Sequence, residues 1–199
     1  MDARRVGLFG GSFDPVHNGH VALARLALAH LALDRVVWIP AGHPWQKARR
    51  LAPADHRLAM VRAAVADEPR FSVDDCEIRR PGPSYTLDTV RELRARWPRV
   101  PEWFLLLGED QYAGLPTWHG WQDLVQCVTL AVAARAARTP VPAGALRAVP
   151  HRLEVLPLPA WPVSSTLVRQ RLAAGQDVDD LVPPAVARYI ACHRLYLTD

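Results

Sequence analysis

The sequence predicts a doubly wound parallel α/β sheet with a small C-terminal helical extension, and three observations carry that expectation. Apolar strand-like runs alternate with segments of helical periodicity through most of the 199 residues. The runs at 103–108 and 129–134 are continuously apolar, as strands covered on both faces are. Connections are short, except 40–53 and 135–150.

Taken in order, VGLFG (6–10) reads as a buried strand, and 18–33 as a helix whose apolar face carries Val21, Leu23, Ala24, Leu26, Ala27 and Leu28. VVWIP (36–40) is a second strand, ended by proline. A loop with Pro44 and Pro53 leads to a helix over about 54–67. FSVDDCEI (71–78) alternates like a half-exposed strand. RPGPSY (80–85) is a loop, and Thr86 to Trp97 a helix stopped by Pro98. WFLLLG (103–108), TLAVAA (129–134) and RLEVLPL (152–158) complete the strands. Two helices close the chain near 165–174 and 184–193, the first with Gly175 at its end and the second with Pro183–Pro184 at its start. The simplest division is one domain over 1–199, with 163–199 as its C-terminal helical part.

Apolar residues make up 50% of the chain and charged residues 22%, a globular composition. Cys76, Cys127 and Cys192 lie far apart without a C-x-x-C pair, which argues against a disulfide framework and a zinc site and fits a reducing compartment. The apolar run after Arg5 ends at Asp14, so no signal peptide is expected. Arg25 and His30 interrupt the best candidate for a membrane span. A cytoplasmic protein without membrane or nucleic-acid partners is the expectation, with a homo-oligomer left open. The net charge of +4 is spread along the chain and suits a small polyanionic substrate. Of the 24 basic residues, Lys47 is the one lysine. It either survived by chance in an arginine-rich composition or marks a place that needs a compact ammonium.

The chemistry concentrates in GLFGGSFDPVHNGH (7–20), at the carboxyl end of the first strand, where such sheets bind ligands. Gly10 and Gly11 would let the backbone turn sharply and let a ligand approach. A helix beginning near Asn18 would aim N–H groups at an anion. His17 and His20, spaced i, i+3 around Gly19, can face one side of that helix start, donate to phosphate oxygens and, if charged, neutralise a phosphoryl transition state. The G-x-G-x-x-G dinucleotide fingerprint is absent, and no GK[ST] follows to make a P-loop. No further His, Cys or carboxylate completes a metal set by spacing, so no protein metal ligands are expected. At the other end, SSTLVR sets Ser164, Ser165 and Thr166 at a helix start with Arg169 one turn in: a cap, a phosphate site, or both.

GGSFDPVHNGH resembles the H-x-G-H signature of the nucleotidyltransferase superfamily. WIPAGHPWQK (38–47), RPGPSYTLDT (80–89), LLLGEDQYAGLPTWH (105–119) and VSSTLVRQRL (163–172) resemble, in order, segments of the bacterial nicotinate mononucleotide adenylyltransferases, over nearly the whole chain. The resemblance implies a Rossmann-like sheet and adenylyl transfer from ATP to nicotinate mononucleotide, giving deamido-NAD and pyrophosphate in NAD biosynthesis. It implies Mg²⁺ carried by the ATP phosphates. Catalytic roles fall to His17, His20 and Arg169. The implied ATP site comprises Gly10, Gly11, Ser12, Phe13, His17, Gly19, His20, Lys47, Gly108, Asp110, Ser164, Ser165, Thr166 and Arg169. The implied acceptor site comprises Ser12, Tyr85, Thr86 and Trp118, the indole either stacking on a pyridine ring or packing at the loop base. The sequence departs from the family twice. Gln46-Lys47 replaces His-Lys, and AARAAR (133–138) replaces an Arg-Pro-Gly, with Arg135 in the arginine's place. Another phosphate-bearing acceptor such as phosphopantetheine, or a non-catalytic nucleotide sensor, are the alternative readings.

Overall fold

The computed structural model describes residues 3–42, 51–134, 140–142, 144–159 and 162–197. Six strands form one parallel sheet: β1 (Arg5–Gly11), β2 (Arg35–Pro40), β3 (Phe71–Val73), β4 (Glu102–Gly108), β5 (Thr129–Ala134) and β6 (Leu153–Pro157). Their order is β3-β2-β1-β4-β5-β6, the doubly wound arrangement expected. The longer helices are α1 (Asn18–His30), α2 (Ala54–Val65), α4 (Thr86–Arg96), α6 (Trp121–Cys127), α8 (Ser165–Ala173) and α9 (Pro184–Cys192). Three short ones, α3 (Cys76–Arg79), α5 (Glu109–Ala113) and α7 (Gly144–Arg147), fill connections.

The alternating pleat of β1 explains the two layers. Val6 and Leu8 point to one face, joining Leu105, Leu107 and Leu130 beneath Val90 and Leu93 of α4 and Leu124 of α6. Phe9 points to the other, with Trp38, Phe104 and Leu106 under α1, α2, α8 and α9. The connection from β1 crosses one face to β2, while β4 lies on β1's other flank. The switch in direction therefore falls between β1 and β4, and a crevice opens at their carboxyl ends.

Three expectations are corrected. The first helix stops at His30, not at 33: Ala32 takes a positive φ of 47°, and the Leu33 N–H returns to the Leu28 carbonyl. Asp34 then accepts the N–H groups of Arg4 and Arg5 at 2.7 and 2.8 Å, which pins the chain to the start of β1. The alternation in FSVDDCEI supports a strand only to Val73. The Asp74 carboxylate accepts the Cys76 N–H at 3.0 Å, bends the chain, and starts α3. Gly10 and Gly11 do not form the turn. Both lie within β1, and Phe13 supplies the left-handed residue, with φ 45°. Gly10 has open space where a Cβ would stand, whereas a Cβ on Gly11 would come within 3.0 Å of the Phe13 ring.

Gly42, just beyond β2, is glycine for a different reason. A Cβ there would stand 2.1 Å from the Glu77 carbonyl oxygen, a backbone atom that cannot swing aside. Gly42→Ala is expected to destabilise the fold by about 1–3 kcal/mol through overpacking. An unchanged thermal midpoint would show that α3 shifts freely against β2.

Candidate functional site

A cavity of about 760 Å³ occupies the crevice between the ends of β1 and β4. That is the size and the place at which this architecture holds small ligands. Its floor is Gly10, Gly11, Ser12 and Phe13 at the end of β1, with His17, Gly19 and His20 from the start of α1 on one side. Gly108 ends β4 and Asp110 follows it. Tyr85 and Thr86, at the start of α4, line the cavity as well, together with Trp118.

The histidines are stacked, with ring centroids 3.6 Å apart and planes inclined at 28°. Two imidazolium ions cannot share that distance away from water. Desolvation pushes the His17 pKa down to about 4. His20 lies well below its ordinary value, through burial first and the nearby His17 second. Both rings are therefore neutral at pH 7 in the protein by itself, and the cationic role that the sequence left open does not apply there. The His17 backbone N–H donates to His20 Nδ1 at 3.1 Å. A neutral ring that accepts through Nδ1 carries its proton on Nε2. The His17 carbonyl in turn receives the His20 N–H at 2.9 Å. The helix start thus presents the cavity with an Nε2–H donor of settled tautomer, braced edge-on by Phe13 at 5.1 Å.

These depressed pKa values carry a stability consequence. Below its ordinary pKa of about 6.5 the unfolded chain protonates His17, and the folded protein does not until about pH 4. The contribution is complete above pH 6.5 and is lost as pH falls from there towards 4. It amounts to about 3 kcal/mol for His17. Urea midpoints measured across that window should fall with pH, and His17→Asn should flatten the profile. A profile that both proteins share would mean that His17 is not the source.

The C-terminal helices clamp the same loop. The Arg169 guanidinium donates to the Asp14 carbonyl at 2.6 Å and to Thr166 Oγ1 at 3.2 Å. The Ser165 hydroxyl donates to the Pro15 carbonyl at 2.9 Å. Ser164 caps α8 by accepting the Leu167 N–H. Ser164, Ser165, Thr166 and Arg169 thus adjoin the histidine loop rather than line the cavity, which Val163 reaches just ahead of them. The Asn18 N–H donates to the Leu181 carbonyl at 2.9 Å, so it is not among the groups α1 can aim at an anion. Lys47 and Arg135 lie outside the described residues.

Four contributors escaped the sequence reading. Arg57 on α2 is 2% exposed, and its guanidinium donates to the carbonyls of Ser12, Ala41, Gly42 and Ala52. It joins the histidine loop to both ends of the connection after β2. Tyr196 donates to the Asp14 carboxylate at 2.7 Å, and burial beside that carboxylate pushes its phenol far up. His119 stacks on Tyr85 with centroids 4.4 Å apart and extends the aromatic wall begun by Trp118. Glu77 is a buried carboxylate in the cavity wall. Only His119 carried a sequence signal, as the neighbour of Trp118. Arg57 reaches back as far as 45 positions and Tyr196 across 182, and Glu77 lies in a segment that read as a strand. Among the described residues, no cluster of three or more His, Cys, Asp or Glu could hold a metal, and no helix is long and apolar enough to cross a membrane.

Residues 8–171 match the cytidylyltransferase-like family, and the fold and its histidine-bearing cavity are those of a nucleotidyltransferase. A protein of Methylibium petroleiphilum, named a probable nicotinate-nucleotide adenylyltransferase, is 53% identical over 97% of this chain and 92% of its own. One of the same name from Albidiferax ferrireducens is 49% identical over 98% and 99%. The Plasmodium falciparum nicotinic acid mononucleotide adenylyltransferase complexed with NaAD shares the fold, with a TM-score of 0.79, 19% identity and 97% coverage of both chains. The chain belongs to the nicotinate-nucleotide adenylyltransferase family.

Proposed function

We propose that the protein transfers the adenylyl group of ATP, entering as its magnesium complex, to nicotinate mononucleotide. An oxygen of the acceptor's phosphate attacks the α-phosphorus, the bond to the β-phosphate's bridging oxygen breaks, and pyrophosphate leaves with that electron pair. The nucleophile is already anionic, so the protein needs no strong base and works by positioning and charge stabilisation. Mg²⁺ on the triphosphate supplies charge neutralisation for the leaving group. The observation that carries this reading is the neutral histidine pair at the switch point, with its Nε2–H donor settled by a backbone bond.

In this reading His17 and His20 bind phosphate oxygens. Gly10, Gly11, Ser12, Phe13, Gly19, Gly108 and Asp110 form the nucleotide's bed. Ser164, Ser165, Thr166 and Arg169, beside the histidine loop, together with Lys47, contact the triphosphate where it extends past the cavity's histidine side. Ser12, Tyr85 and Thr86 hold the acceptor, with Trp118 against its ring. Residues 1–199 act as one nucleotidyltransferase domain, 163–199 forming its C-terminal helical part. Three free thiols, one buried and two at or near the surface, suit a cytoplasmic setting. Pyrophosphate release with Mg²⁺-ATP and a panel of acceptors tests the reading. Turnover is expected with nicotinate mononucleotide. Turnover with phosphopantetheine instead would reassign the acceptor, and release with none would leave a nucleotide-binding protein.

A further inference from the structure

The Glu77 side chain sits 7% exposed in the cavity wall, outside every role assigned above. Burial pushes its carboxyl up, against the pull of Thr89, Arg80 and Ser84. The Thr89 hydroxyl donates to Glu77 Oε1 at 2.7 Å, and Arg80 donates to the same hydroxyl's oxygen at 3.0 Å. The Ser84 side chain also bonds the Glu77 carboxyl. Ser84 precedes the first turn of α4, and Thr89 follows it. One buried carboxyl therefore clasps both flanks of Tyr85–Asp88, the segment whose N–H groups open the helix. Behind it, the Glu77 carbonyl packs closely on Gly42, just beyond β2, where a Cβ would stand 2.1 Å from its oxygen.

We infer that Glu77 is a positioning residue for acceptor selectivity: its carboxyl aims the first N–H groups of α4 at the carboxylate of the acceptor. The inference rests on the proposed placement of the acceptor at Tyr85 and Thr86. A buried carboxyl is an expensive way to hold a loop, since burial costs it solvation. A wall that must discriminate between an anion and its neutral amide gains from rigidity, because misaimed donors treat both alike.

The test is kcat/KM for nicotinate mononucleotide and for its amide counterpart at saturating Mg²⁺-ATP, plus an ATP series, in Glu77→Ala, Glu77→Gln and Thr89→Val. Glu77→Ala is expected to raise KM for the acid acceptor and to cut the acid-to-amide ratio by about tenfold, the loss of roughly one well-aimed hydrogen bond. KM for ATP should stay within about twofold. Glu77→Gln, whose amide oxygen still accepts from Thr89, should recover most of the ratio, and Thr89→Val should lower it. A purely structural role would lower thermal stability and leave the ratio alone. If Glu77→Ala does not fold, Thr89→Val decides. A ratio unmoved in the folded variants overturns the inference alone. A ratio near one in the unsubstituted protein overturns the acceptor placement, and the inference with it.

Discussion

His20→Ala is expected to lower kcat by roughly 10²–10³-fold, the loss of one donor aimed at developing charge, with a smaller change in KM for ATP. The asymmetry follows from the geometry. His20 is neutral, so it contributes little long-range attraction to the triphosphate. Its Nε2–H is directed by the bond between Nδ1 and the His17 N–H, and it presents one hydrogen bond at a fixed place. A hydrogen bond held in a desolvated site stabilises the transition state most, where negative charge gathers on the phosphoryl oxygens. The ring also packs against Phe9 and Phe13, so the variant's thermal midpoint must be measured beside its kinetics. Near-normal turnover in a folded His20→Ala would remove the residue from catalysis.

The acid acceptor is expected to be preferred over its amide by roughly tenfold to several hundredfold in kcat/KM, since unpaired buried donors cost about 1–3 kcal/mol each. Tyr85 and Thr86 open α4 into the cavity, and Tyr85 takes an extended conformation at the N-cap. A helix start of this kind favours an anion. A carboxylate only accepts hydrogen bonds, whereas a carboxamide either lacks the charge or turns its own NH₂ against the donors. If Trp118 lies against the acceptor ring as proposed, it meets either ring alike, and Trp118→Ala should weaken both substrates without reversing their order. Equal values for the two acceptors would show that this helix start does not read the carboxylate.

The sheet was legible because its signals are local. Continuous apolar runs mark strands buried on both faces, and Pro40, Pro98 and Pro184 punctuate the elements where proline removes a donor or presets φ. The histidine loop was legible because its residues are neighbours in the chain, and their spacing around Gly19 places both rings at one helix start. The alternation of 71–78 misled because an aspartate's bond to a nearby N–H outweighs a pattern of side-chain polarity.

The protonation of the site is a tertiary matter. No spacing rule says that His17 and His20 stack at 3.6 Å, or that the surrounding core strips them of water and keeps both neutral. The same holds for Arg57, whose i, i+4 neighbours say nothing of three carbonyls just past two strands and a fourth just ahead of its own helix. It holds again for Tyr196, which reaches Asp14 across 182 positions. Chain order encodes which residues are apolar and which can cap or turn, because those preferences act within a few bonds. Desolvation, and hydrogen bonds between distant segments, depend on what the rest of the chain packs around a group, and they exist only once the sheet and its two helical layers have closed.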